Sequence, residues 1–164
     1  MPRAGVHTRM NLRESTAPQR PDVHIAARMD TRWSDVDIYG HVNNVAYYAY
    51  VDSAIATFLM GELREDLRRF DAIGIVAETS CRYLAEIDFP AQVEIGLATE
   101  RIGTSSVVYR FAIFAADDKT VRATGRFVHV YVDRDQRTPT AIPDRIRTIV
   151  SGLPRWESVT GVSA

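Results

Sequence analysis

A chain of 164 residues, 46% apolar and 25% charged, is long enough to bury one core and has the composition of an ordinary globular domain. A formal charge of −1 gives no general attraction to nucleic acid or a membrane surface, so an anionic ligand must meet a local Arg or Lys cluster. The only cysteine, Cys81, rules out an intrachain disulfide and fits a reducing, cytoplasmic setting; the four histidines are scattered without zinc-ligand spacing, and no apolar run approaches the ~20 residues of a membrane span.

Residues 1–22, "MPRAGVHTRMNLRESTAPQRPD", have neither apolar periodicity nor the continuous apolar stretch of a secretory signal, and are expected to form a disordered tail. One domain is expected over 23–152 and a short tail over 153–164. From Val23 the sequence alternates, with Val23, Ile25, Ala27, Met29 and Trp33 on one face of a half-buried strand. The polar stretch "SDVDIYGHVNN" follows, and then a helix from about Asn43 to Met60. Its apolar stripe is read as Val45, Ala49, Ala56 and Leu59, flanked by Tyr48 and Ile55, with Gly61 as the stop. "ELREDLRRFDAI" suggests a further helical turn or two.

After Gly74 the period becomes two: Ile75, Ala77, Thr79, Cys81, Tyr83 and Ile87 face one way. Further strands are expected at 91–101, 105–116 and 120–133, and the three closely spaced turns "DFPAQ", "RIGTS" and "DDK" make these and the strand after Gly74 four consecutive strands of an antiparallel meander. A short helix, "DRIRTIVSGL", closes the chain after Pro143. One long helix and five strands give an α+β domain in which a curved antiparallel sheet wraps the helix. The Val, Phe and Tyr residues on the sheet's other face point to a second subunit.

This order resembles the hotdog fold. The motif Asp35, Asp37, Gly40, His41, Val42, Asn43, Asn44 and Tyr47 is similar to the active-site signature of the 4-hydroxybenzoyl-CoA thioesterase family, and "RYLAEIDFP" and "RIGTSSVVYRF" resemble that family's sheet. The resemblance covers about Val23 to Val150. It implies an acyl-CoA thioester hydrolase that works without metal or prosthetic group and assembles as a homodimer or homotetramer. It makes Asp37, rather than Asp35, the catalytic carboxylate, and Asn44 a pocket-lining residue. It also implies a coenzyme A grip from the hairpin at Arg101, Gly103, Thr104, Ser105 and Ser106, often a neighbour's. This hairpin lacks the basic cluster that some relatives carry; Arg82, Arg110 and Arg126 are further candidates.

The residues themselves suit that chemistry. A carboxylate at Asp37 can attack a thioester carbonyl or take a proton from water. Unpaired N–H groups near Asn43, Asn44 and Val45, at the positive end of the helix dipole, can hold an oxyanion. Gly40 permits a tight turn and a close ligand. His41 either supports Asp37 or ties the loop to the sheet. Asn43 is foremost an N-cap, and Tyr47 lines an acyl channel or packs in the core. His129 reads as a packed core histidine and Asp52 as solvated. Two other functions suit the same residues: hydration of an enoyl-CoA by an Asp37–His41 pair, and acyl-thioester binding without turnover.

Overall fold

A computed structural model describes residues 21–156; residues 1–20 of the tail expected at 1–22, and residues 157–164 of the one expected at 153–164, lie outside that range. The elements in chain order are β1 (His24–Asp30), α1 (Asn44–Leu63), β2 (Ala72–Tyr83), β3 (Gln92–Ile102), β4 (Ser106–Ala115), β5 (Val121–Asp133) and α2 (Asp144–Ser151). Single 3-10 turns occupy Trp33–Asp35 and Leu67–Arg69. The five strands form one antiparallel sheet, and α1 lies against it, which is the hotdog arrangement expected.

Alternation along the strands builds the core. Val93, Ile95 and Leu97 of β3, Val107, Tyr109, Phe111 and Ile113 of β4, and Ala123, Phe127 and Tyr131 of β5 all face α1. α2 closes one end with Ile146 and Val150, and residues 153–156 then run beside β3, where Thr99 N–H donates to Pro154 O at 2.8 Å. Buried Glu94 accepts from Arg28 Nε at 2.8 Å and Lys119 Nζ at 2.7 Å, which ties β1 and the β4–β5 turn to β3.

Four expectations are corrected. The strand order is β1-β3-β4-β5-β2, so only β3, β4 and β5 form a meander; β2 crosses the sheet to pair with β5 at the opposite edge. A period of two reports which side chains share a face, not which strand is the neighbour. α1 buries Ala46, Tyr47, Tyr50, Val51, Ala54, Ile55, Phe58, Leu59 and Leu63, whereas Val45 and Ala49 are exposed and Ala56 and Tyr48 half-buried. Every residue from Val45 to Val51 is apolar or tyrosine, so the pattern did not select a face.

Gly61 does not stop α1. The helix runs on to buried Leu63 and ends at Arg64, which takes the left-handed conformation at φ 51°. Glycine inside a helix costs about 1 kcal/mol, and burying a leucine returns more than that. In β1 a bulge between Ile25 and Ala27 breaks the expected alternation. Trp33 leaves the strand altogether: it is 77% exposed in its 3-10 turn, edge-on to Phe89.

Candidate active site

The polar stretch folds as a miniature hairpin set against the start of α1. Asp37 N–H donates to His41 O at 2.9 Å, Gly40 N–H donates to Asp37 O at 3.1 Å, and Val36 bridges Val42. A hairpin loop of this length needs a left-handed residue at its last position, and Gly40 supplies it with φ 89°. Asp37 Oδ1 accepts the Tyr39 N–H at 2.8 Å, and no hydrogen bond to Oδ2 forms among the described residues. The carboxylate therefore steadies its own turn with one oxygen and leaves the other open. Ile38 and Tyr39 stand out at the tip, 91% and 79% exposed.

Asp35 is the anchor of this loop. Only 6% exposed, it accepts from Arg32 N–H at 2.9 Å, from the Arg32 guanidinium at 2.9 Å and from the Tyr50 hydroxyl at 2.6 Å. Burial pushes its pKa up, but the bonds from Arg32 and Tyr50 outweigh it and hold the carboxyl below the usual range. Tyr50 is pushed above the usual phenol range, first by burial and then by donating to this anion. The Asp35 carbonyl also accepts the Asn43 N–H at 2.7 Å, which fixes the hairpin stem on the helix. The motif's two aspartates thus divide: one is buried and fully bonded, the other half-buried with one oxygen unbonded.

At the helix start the expected set of free amides shrinks to one. Asn43 gives its N–H to Asp35, and its side chain caps Val45 N–H at 3.1 Å. Ala46 N–H bonds the Asn43 carbonyl at 2.9 Å. Asn43 and Val45 are therefore removed as oxyanion donors, because the cap that starts the helix consumes their amides. Asn44 N–H has no hydrogen-bond partner among the described residues. Its side chain is exposed, and its carbonyl accepts the Tyr83 hydroxyl at 3.3 Å.

His41 turns away from the Asp37 carboxylate. Its Nε2 lies 3.2 Å from Glu86 Oε2 and 3.8 Å from Asp88 Oδ1, so it ties the hairpin to the linker between β2 and β3. Tyr47 belongs to the core, not to a channel: it is buried edge-on against Tyr83, and burial pushes its hydroxyl up to about 12. Neither Tyr83 nor Glu86 was singled out from the sequence, since both lie on a strand and linker far from the motif in the chain.

The second expected cluster sits elsewhere. Pairing places the loop end of β1 beside Gln92, the first residue of β3, whereas Arg101 is the last residue but one of that strand and Gly103–Ser105 form the turn after it. An 11-residue strand spans roughly 33 Å, beyond any side chain's reach. That turn is also braced from behind. Gly103 N–H bonds Ser106 O at 2.7 Å, and Arg147 of α2 donates to the carbonyls of Gly103 at 2.8 Å and Thr104 at 3.1 Å. Arg147 is a basic group at the hairpin that local sequence gave no reason to expect. Of the other arginines considered, Arg110 and Arg126 pair with Glu100 and Glu78, and Arg82 is exposed.

Among the described residues no group of three or more His, Cys, Asp or Glu side chains is placed to hold a metal ion, and no helix is long and apolar enough to cross a membrane. Residues 31–150 match the model of the thioesterase-like superfamily. The crystal structure of PA5185 from Pseudomonas aeruginosa is 42% identical, covers 82% of this chain and 94% of its own, and superposes with a TM-score of 0.78. PA2801 from the same organism is 30% identical over 80% of this chain and 99% of its own, TM-score 0.71. Slr0204 from Synechocystis, a 1,4-dihydroxy-2-naphthoyl-CoA thioesterase, shares the fold at 14% identity, over 77% of this chain and 94% of its own, TM-score 0.70. Bacillus subtilis YsmA is 24% identical over 84 residues, so the chain spans only 56% of that relative's length. The family match takes in the Asp37 hairpin, α1 and all of the sheet from β2 to β5, and on it the chain belongs to the thioesterase-like superfamily.

Proposed function

We propose that this protein hydrolyses acyl-CoA thioesters at the Asp37 hairpin. One observation carries the reading: a carboxylate with a free oxygen stands on a loop bonded to the start of α1, where the Asn44 amide is unclaimed. Asp37 acts as nucleophile or general base on the acyl carbon, and the Asn44 N–H, aided by the helix dipole, takes the charge that develops on the carbonyl oxygen. Membership of a thioesterase superfamily and a fold shared with a CoA thioesterase support the choice of substrate class. Because His41 faces Glu86 and not Asp37, the pair that hydration would use is not assembled, and this favours hydrolysis. In a thiol-release assay across aliphatic and aromatic acyl-CoAs we expect free coenzyme A from at least one class. Loss of enoyl absorbance without thiol would indicate hydration, and binding without turnover a carrier.

Coenzyme A would be held by Arg101, Gly103, Thr104 and Ser105 of a second copy, since the protomer's own hairpin lies at the far end of β3. The second copy has an obvious place to add. β2 pairs only with β5, and its other edge leaves twelve residues of backbone unpaired among the described strands, with Ile75 and Val76 exposed. Long open edges of this kind are normally paired or protected. Light scattering at assay concentration should give a dimer or tetramer; an active monomer would contradict the shared site.

A further inference from the structure

A recess lies well away from Asp37, where the second half of α1 meets β2, β5 and α2. It has a volume of about 180 Å³ and is half open to solvent. Leu59, on its wall, is 15 residues beyond Asn44 on α1, roughly 22 Å along the helix axis. The apolar lining is deeply buried: Leu59, Tyr131 and Ile146 are each no more than 2% exposed, and Ile73 is half-buried beside them. Two guanidinium groups complete the wall, from exposed Arg68 and half-buried Arg134. The recess is therefore amphipathic, with apolar residues inward and cations toward the mouth.

Arg134 is the cation without a counter-ion. Its Nε and Nη2 donate to the Phe70 carbonyl at 3.0 and 2.8 Å, and it makes no ion pair among the described residues. A carbonyl fixes the side chain but leaves its charge uncompensated. The neighbouring carboxylates are engaged elsewhere: Asp66 with the Arg68 guanidinium, Glu65 with Arg145, and Asp133 with the amides of Asp135 and Gln136. Asp71 meets Arg134 through its backbone carbonyl, which accepts the Arg134 N–H at 2.7 Å. A charge partly withdrawn from water beside apolar surface is costly unless it is paired. Both bonds to Phe70 leave from one edge of the guanidinium. Nη1 and the second hydrogen of Nη2 therefore stay free, and that pair of donors has the spacing of a carboxylate. Arg68 is held by Asp66 through Nε and Nη2, and its Nη1 is likewise unbonded.

We propose that this recess binds a compact apolar molecule bearing one carboxylate, with the carboxylate on Arg134, Arg68 beside it, and the apolar body against Leu59, Ile73 and Ile146. Cavities of about 150 Å³ accept benzene, so the ring of a benzoate fits inside while its charged end stays at the open side. A neutral molecule of the same size loses the charge-assisted bonds, and a carboxylate without a body loses the burial, so affinity needs both parts. The proposal does not depend on the hydrolytic reading.

The test is a titration of the full-length protein with benzoate, benzyl alcohol and acetate, followed by the methyl NMR resonances of Ile73 and Ile146. We expect saturable shifts at both residues with benzoate, and at least tenfold weaker binding of the other two probes. Arg134→Met, which keeps an apolar stem and removes the charge, should weaken benzoate at least tenfold and leave benzyl alcohol unchanged. Asp37→Asn should bind benzoate as the parent does, which separates this recess from the site of hydrolysis. Absence of saturable shifts at Ile73 and Ile146, equal affinity for benzoate and benzyl alcohol, unaltered benzoate affinity in Arg134→Met, or its loss in Asp37→Asn would each overturn the assignment. Should Arg134→Met fail to fold, the three wild-type titrations and Asp37→Asn decide the matter.

Discussion

Asp37→Asn is expected to fold as the wild type does and to lose at least about 100-fold in thioester turnover, the scale of a missing general base or nucleophile. The substitution separates the two jobs of this side chain. An asparagine keeps an Oδ1 that can accept the Tyr39 N–H, now 2.8 Å from the carboxylate, so the hairpin and its contact with α1 persist. What it removes is the negative charge and the second carboxylate oxygen. Thermal melts monitored by circular dichroism should therefore overlay those of the parent while thiol release collapses. A variant that turns over at nearly the parental rate would show that Asp37 is only a turn residue.

The opposite pattern is expected two residues earlier. Asp35→Ala should destabilise the fold by about 2–3 kcal/mol, because it strips the Tyr50 hydroxyl and the Arg32 N–H of a buried acceptor. The estimate stays below that for a fully buried ion pair because the Arg32 side chain is 66% exposed and solvent replaces its partner. For a chain of this size, this corresponds to a melting point lower by roughly 5–10 °C. Tyr50→Phe should cost about 1 kcal/mol, since it removes one donor and leaves Arg32 to satisfy the carboxylate. The lowered pKa of Asp35 fixes the pH window. Its stabilisation is complete above the usual carboxylate range and is lost only as pH falls through the depressed folded value. An Asp35→Ala protein with an unchanged melting point would contradict the anchoring role.

These two aspartates show how far the motif could be read. Gly40 as a turn residue and Asn43 as the N-cap were both legible, because each is a short-range preference of one residue type for one backbone geometry. The consequence of the cap was not. In the fold, Asp35 and the Asn43 side chain take the amides on either side of Asn44, which leaves a single donor. His41 behaves likewise: its partner, Glu86, lies in the β2–β3 linker, and nothing near residue 41 announces it.

Element types and approximate limits, the pairing of β3 with β4 and of β4 with β5, the closing helix and the loop that carries Asp37 could all be read from the chain, since periodicity, turn chemistry and capping act over a few residues; the expected pairing of β2 with β3 does not form. Only packing settled that β2 pairs at the far edge, which face of an almost wholly apolar helix is buried, and that Arg147 braces the distant hairpin. Each of those outcomes depends on groups far apart in the chain meeting in one packed core, where the total burial and hydrogen bonding of the assembled elements choose the arrangement and no local preference does.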